Sequence, residues 1–281
     1  MSFVYLNGEL LSEQNVHISV HDRGFLLGDG LFETMRATGG RVLHLDQHLA
    51  RLGRGAAVLG FELPPRAALA DAVRGTLAAN DLMGREAVVR LTVSRGVGPR
   101  GLTPPLHPSP TVVIVASPIT APPPAQQTAI TLAFRLDAAS PLVGLKTLNY
   151  LPQILGRQAA LAAGADEGIF LNHADALVEG CASNLFWMQG NLLCTPDLTC
   201  GPLPGITRAI ALTLALTLGL SVHEGAFSRS ALAEADEAFL TNSVWGFMPL
   251  TRLDDRPIGQ GQPGPVTARL QTALQQMVAA P

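Results

Sequence analysis

The spacing of apolar residues divides the chain into segments of short and long period. Residues 3–6 (FVYL), Leu31 to Arg36 and 41–45 (RVLHL) are brief apolar runs set off by turn-forming residues, a pattern that predicts strands. Leu45, Leu49, Leu52 and Ala56 then recur at helical spacing, as do Leu69, Val73 and Leu77, so helices are predicted over 45–59 and 65–82. AVVRLTV (87–93) and TVVIVA (111–116) return to the β-branched composition of strands. The SPITAPPPAQQ that follows has prolines at 118, 122, 123 and 124, which donate no backbone hydrogen bonds and favour extended chain. It reads as a linker over 117–127, separating a smaller N-terminal α/β domain (1–116) from a larger C-terminal domain (128–281).

In the second half, strands are predicted over 128–135, 168–172, 184–189 and 191–195, the last two as a hairpin across QGN, and from Phe239 to Thr241. Helices are predicted over 151–163, with Pro152 in the first turn where its missing N–H does no harm, and over 205–218, with Gly219 as the C-terminal cap. Two more cover 229–235 and 266–278. Strands and helices mix without a strict βαβ alternation, which makes the fold class mixed α+β.

Composition narrows the partners. The formal charge is −3 and no run of basic residues occurs, so the chain lacks the electrostatic footprint of a nucleic-acid or polybasic membrane surface, and small-molecule partners are expected. The start, MSFVYLNGELLSEQN, has no basic segment ahead of an apolar run, and apolar stretches such as 209–220 fall short of the roughly 20 residues that span a bilayer. The expected location is the cytoplasm. Cys181, Cys194 and Cys200 are too sparse for a disulfide framework, and His17 and His21 lie four apart without an HExxH context, so no metal site is expected.

Lysine is the anomaly. Of 19 basic residues only one, Lys146, is a lysine. On an exposed helix lysine and arginine are nearly equivalent, but only an amine can lose its proton near neutral pH and attack a carbonyl. Polar residues also gather in DRGFLLGDG (22–30), SRGVGPRG (94–101), GLKTLNY (144–150), EGCASN (179–184), GITR (205–208) and TNSVWG (241–246). A helix starting at Gly205 would offer free N–H groups and the Thr207 hydroxyl to a phosphate, with Thr241 and Ser243 adding hydroxyls and Arg51 a charged fork. Glu179 beside a pyridine nitrogen would keep it protonated. The same segments also read as ordinary turns, with Asp22, Asp29, Arg95 and Arg100 paired as turn charges.

The ordered series from DRGFLLGDGLFET through HLARL, SRG, KTLNY, EGCASNLFW and GITR to LTNSVWGFMP resembles the fold-type IV pyridoxal-phosphate enzymes, or aminotransferase class IV. These include branched-chain and D-amino acid aminotransferases and 4-amino-4-deoxychorismate lyase. The resemblance implies a two-domain fold like that of D-amino acid aminotransferase, pyridoxal 5′-phosphate as cofactor, and a homodimer whose partner subunit completes the substrate pocket. It further implies that Lys146 carries the cofactor, that Glu179 faces its ring nitrogen, and that Arg51, Ile206, Thr207 and Ser243 hold its phosphate. GCASNLFW, and TNS followed by a glycine and MP, are similar to the lyase branch. That implies a substrate-binding Asn242 and a carboxylate-binding Arg100, with Phe32 where D-amino acid aminotransferases carry tyrosine and Thr34 where branched-chain enzymes carry glycine. The expected reaction is conversion of 4-amino-4-deoxychorismate to 4-aminobenzoate and pyruvate; the alternative is an aminotransferase acting on branched-chain or D-amino acids.

Overall fold

The computed structural model describes residues 2–279, which form two compact units. Among the described residues, the first comprises residues 2–122 and Leu145–Asn149, and the second Pro123–Gly144 and residues 150–279.

The first unit is built on strands β1 (Phe3–Leu6), β2 (Glu9–Ser12), β3 (Gly30–Thr38), β4 (Arg41–Val42), β5 (Ala87–Ser94) and β6 (Thr111–Pro118), with helices α1 (Arg23–Leu27), α2 (Leu45–Leu59) and α3 (Arg66–Ala79). The strands pair antiparallel throughout in the order β2-β1-β6-β5-β3-β4. Alternate residues of β5 (Ala87, Val89, Leu91, Val93) and of β6 (Val112, Ile114, Ala116) are buried in one core with Leu49, Leu52 and Ala56 of α2 and Leu69, Val73 and Leu77 of α3. Period-two strands thus meet period-3.6 helices across one apolar layer. The strand expected over 41–45 stops at Val42, because His44 adopts a left-handed φ of 54° that turns the chain into α2. The turn-rich 22–30 segment holds α1, whose first turn is capped by Asp22 Oδ1 accepting from Gly24 N (2.8 Å).

The second unit contains β7 (Gln127–Leu136), α4 (Leu151–Ala162), β8 (Glu167–Asn172), β9 (Leu177–Gly180), β10 (Asn184–Gln189), β11 (Leu192–Pro196), α5 (Ile206–Thr217), β12 (Ser221–Gly225), α6 (Arg229–Ala233), β13 (Glu237–Asn242), β14 (Gly246–Leu253), β15 (Arg256–Pro257) and α7 (Pro265–Ala279). The main path of this mixed sheet runs β12-β11-β10-β13-β14-β7-β8-β9, with β15 against β14. Strand β10 reads NLFWMQ without alternation because both its faces are covered. Leu185 and Trp187 enter a core with Leu232 of α6, while Phe186 and Met188 enter another with Ala211 and Leu214 of α5 and Leu270 of α7. Among the described residues no helix is long and apolar enough to cross a membrane.

The units depart from a simple cut at 117–127. Strand β6 continues through Pro118, and Leu145–Asn149 returns to the first unit instead of staying in a 128–281 domain. Its backbone pairs with β3: Phe32 N donates to the Lys146 carbonyl (2.9 Å) and Leu148 N to that of Gly30 (3.0 Å).

Candidate active site

Lys146 owes its position to that pairing. Gly30 makes it possible, since a Cβ there would lie 2.6 Å from the Val93 carbonyl oxygen and 2.8 Å from Leu148 Cδ1. The half-buried Lys146 amine stands 4.3 Å from the centroid of the Phe32 ring. The Arg90 guanidinium, from the neighbouring strand β5, lies 3.8 Å from the same centroid. Two cations therefore share one aromatic ring, at distances where the ring quadrupole attracts each of them.

Arg51 projects from α2 toward β3, where Glu33 is fully buried. Its Nε and Nη2 donate to the two Glu33 oxygens at 2.8 and 2.6 Å, and His48 Nδ1 lies 2.6 Å from Oε2. Burial alone would raise the Glu33 pKa, but hydrogen bonds and charge from Arg51 and His48 outweigh it, and the carboxyl is held below its usual range. Arg100 is exposed, on the loop after β5. Arg95, which the sequence suggests as a turn charge paired with Asp29, is buried: it and the buried Arg23 both donate to Asp29 Oδ2, at 2.7 and 2.8 Å.

The second unit assembles its polar residues around Asn184, at the start of β10. Asn184 Nδ2 donates to Glu179 Oε2 (3.2 Å) and to the Leu203 carbonyl (2.8 Å), and Leu203 N also donates to Glu179 Oε2 (2.9 Å). Two residues on, Gly205 opens α5. A Cβ at 205 would fall 2.0 Å from Asn184 Oδ1, so only glycine admits this approach. No side chain caps α5, which leaves the N–H groups of Ile206 and Thr207 aimed outward from the positive end of the helix. Across the sheet from Asn184 lies Thr241, whose Oγ1 is buried without a hydrogen-bond partner. Ser243 follows in the adjoining turn. A carboxylate, an uncapped helix start and an orphaned hydroxyl thus lie within one hydrogen-bonded neighbourhood.

The amino-transferase class IV family model matches residues 30–253, from the strand that seats Lys146 to the end of β14. The chain belongs to the amino-transferase class IV family. It is 37% identical over 274 residues to a Methanocaldococcus jannaschii protein assigned as a branched-chain-amino-acid aminotransferase, covering 95% of this chain and 93% of the relative. It is 33% identical over 270 residues to the aminodeoxychorismate lyase of Bacillus subtilis, covering 95% and 92%. Among solved structures, the T.th. branched-chain amino acid aminotransferase complexed with N-(5′-phosphopyridoxyl)-L-glutamate superposes with a TM-score of 0.90 at 27% identity, covering 98% of this chain and 93% of the other.

The chemistry of this family member's residues fits such a phosphopyridoxyl group. It supplies a solitary lysine amine, a carboxylate able to stabilise a protonated ring nitrogen, and a helix start with an orphaned hydroxyl suited to a dianion. Two residues stand outside this fit. Asn242, expected to reach a substrate carboxylate, instead folds its amide over its own turn: Oδ1 accepts from Val244 N (3.0 Å) and Trp245 N (2.8 Å), and Nδ2 faces Met248 Sδ at 3.9 Å. Short polar side chains after a strand commonly satisfy turn N–H groups in this way. Cys181 is no nucleophile, because burial and the neighbouring Glu167 carboxylate push its thiol up to about 12. Asn184 and Arg90 carry more of the site than their sequence context signals.

Proposed function

We propose that this chain is a pyridoxal-phosphate aminotransferase that moves the amino group of a branched-chain amino acid to a keto acid. The observation that carries the reading is the shared ring of Phe32, with the Lys146 amine at 4.3 Å and the Arg90 guanidinium at 3.8 Å. An aminotransferase must hold a carboxylate beside the carbon whose proton it removes, and the exposed Arg90 offers a positive charge on the ring that the Lys146 amine also meets. The lyase reading leans on Asn242 as a substrate donor and on a remote Arg100 as the sole anion anchor. The Asn242 turn and the position of Arg90 weaken both supports.

The cofactor is pyridoxal 5′-phosphate, which when bound supplies an electron sink for the carbon that loses its proton. Lys146 would carry it and, once released, its Nζ would take the proton from the substrate α-carbon and return a proton during exchange. Glu179, anchored by Leu203 N and Asn184, would keep the ring nitrogen protonated. Arg51, Ile206, Thr207, Ser243 and the hydroxyl of Thr241 would bind the cofactor phosphate. Arg90 would orient the reacting carboxylate, with Arg100 on its exposed loop as a second anchor.

The similarity to the Bacillus subtilis lyase favours a second reading, release of 4-aminobenzoate and pyruvate from 4-amino-4-deoxychorismate. One experiment separates them. Purified holoenzyme should exchange amino groups between L-leucine, L-isoleucine or L-valine and 2-oxo acids, faster than with D-alanine. Formation of 4-aminobenzoate without any such exchange would overturn the aminotransferase assignment.

A further inference from the structure

Arg23 sits at the start of α1, only 4% exposed, yet its donors reach an exposed loop. Its Nη1 donates to the carbonyls of Gly101 (3.1 Å) and Thr103 (3.3 Å), and Nη2 to that of Leu102 (3.0 Å). These are the three residues directly after Arg100. The loop there forms no strand, and Leu102 is 83% exposed, so its neighbours in the sheet do not hold it.

From below, Arg23 is itself fixed. Nε donates to Asp29 Oδ2 (2.8 Å), which also accepts from Arg95 Nε (2.7 Å), and Arg95 in turn donates to the Leu59 and Gly60 carbonyls at the end of α2. Burial works to raise the Asp29 pKa, but hydrogen bonds and charge from Arg95 and Arg23 hold the carboxyl below its ordinary value. Gly98 leaves room for the arrangement, since a Cβ there would lie 2.7 Å from Arg23 Cδ. A planar guanidinium can serve a carboxylate and three carbonyls together, which the compact ammonium of lysine cannot match.

We propose that Arg23 is a positioning residue that clamps the loop behind Arg100 and so sets the affinity for the substrate carboxylate. This rests on Arg100 binding that carboxylate. Arg23 touches no reacting atom; it removes the freedom of the loop before substrate arrives, so that less ordering is needed on binding.

The test uses holoenzyme carrying R23Q, R23K, R100A and the R23Q/R100A pair. The expected result for R23Q and R23K is an unchanged cofactor spectrum, kcat within about twofold of the parent, and KM for the amino acid raised about tenfold, the signature of lost ground-state binding. Trypsin should cut the Arg100–Gly101 bond at least about tenfold faster in both, as read by mass of the fragments, because cleavage of an exposed loop follows its freedom to move. In the R100A background R23Q should add nothing further to KM, since the two act through one contact. Parental cleavage at Arg100 in both variants would overturn the clamp, and full rescue of KM by R23K would overturn the need for a carbonyl-binding fork. A raised KM in R100A with a parental KM in R23Q would sink the Arg23 proposal alone. A parental KM in R100A would sink the reading of Arg100 itself, and the substrate role of Arg23 with it, while the protease result would still report on the clamp.

Discussion

Glu179 spends one oxygen on two donors, Leu203 N and Asn184 Nδ2, and a glutamine there would still offer an acceptor to them. E179Q should therefore keep its fold and nearly its parental cofactor affinity while losing turnover. A charged hydrogen-bonding partner is commonly worth about 1.5–3 kcal/mol, which is roughly 10- to 150-fold in rate. Parental kcat in fully loaded E179Q would refute the ring-nitrogen role. Asn242 behaves in the opposite way. Because its Oδ1 caps the turn between β13 and β14, N242A should lower stability by about 1 kcal/mol, leave KM unchanged, and be largely rescued by N242D, which keeps the acceptor. Thermal unfolding beside steady-state kinetics decides it, and a KM defect without loss of stability would restore Asn242 to the substrate. Lys146 is legible in the sequence because it is solitary, and Glu179 because the motif around it is distinctive. Asn184 and Arg90 are not. Asn184 acts through Leu203, Glu179 and the neighbouring β13, and Arg90 through a ring on the adjacent strand, relations that residue type and spacing do not express.

At the scale of elements, α7 shows how one buried acid governs a helix. Glu237, on β13, accepts at Oε1 from Val266 N (2.8 Å) and Thr267 N (3.3 Å) in the first turn of α7, while Oε2 is buried without a partner. Burial raises the carboxyl pKa, and the two backbone donors only partly offset this. The folded state thus holds the Glu237 proton more tightly than the unfolded chain does. Its stabilising contribution is present at low pH, and it declines as pH rises from the unfolded value through the raised folded one. E237Q keeps an acceptor for the helix and removes the titration, so its unfolding free energy should stay flatter over that range and exceed the parental value at pH 8. Equal pH slopes for the two proteins would contradict this. Long periodic elements such as α2, α3 and β5 are readable because their core faces repeat. Strand β14 is hidden by Pro249, a residue normally excluded from central strands; it fits because β14 pairs with β7 only from Leu250 onward. Helix α1 has five residues, too few for a helical period, and only the Asp22 cap and Gly28 mark its ends.

For the whole molecule, the first unit carries apolar surface that its own core does not use. Phe25 is 74% exposed, Val20 67%, Leu26 55% and Ile18 49%, beside a cavity of about 330 Å³ lined by Ile18, Val20, Phe25, Val113 and Leu148. Single exposed apolar residues are ordinary, but a group of them around a concavity marks an association surface. We propose that this surface joins two copies of the chain. A twofold interface uses the same patch on each copy, so one substitution acts twice. Burying a phenylalanine contributes about 1.5–3 kcal/mol, and two such losses in F25D would weaken the dimer by roughly 100-fold or more. Phe25 packs little within its own protomer, so the isolated fold should withstand the change. Light scattering across a concentration series should show a parental dimer and an F25D monomer at micromolar concentration, with circular dichroism unchanged. Because Arg23 and Phe25 lie on the same short helix, the F25D monomer should also show faster tryptic cleavage after Arg100 if association supports that loop. A parental protein that is monomeric at the concentrations where it turns over fully would rule out the homodimer as the working state.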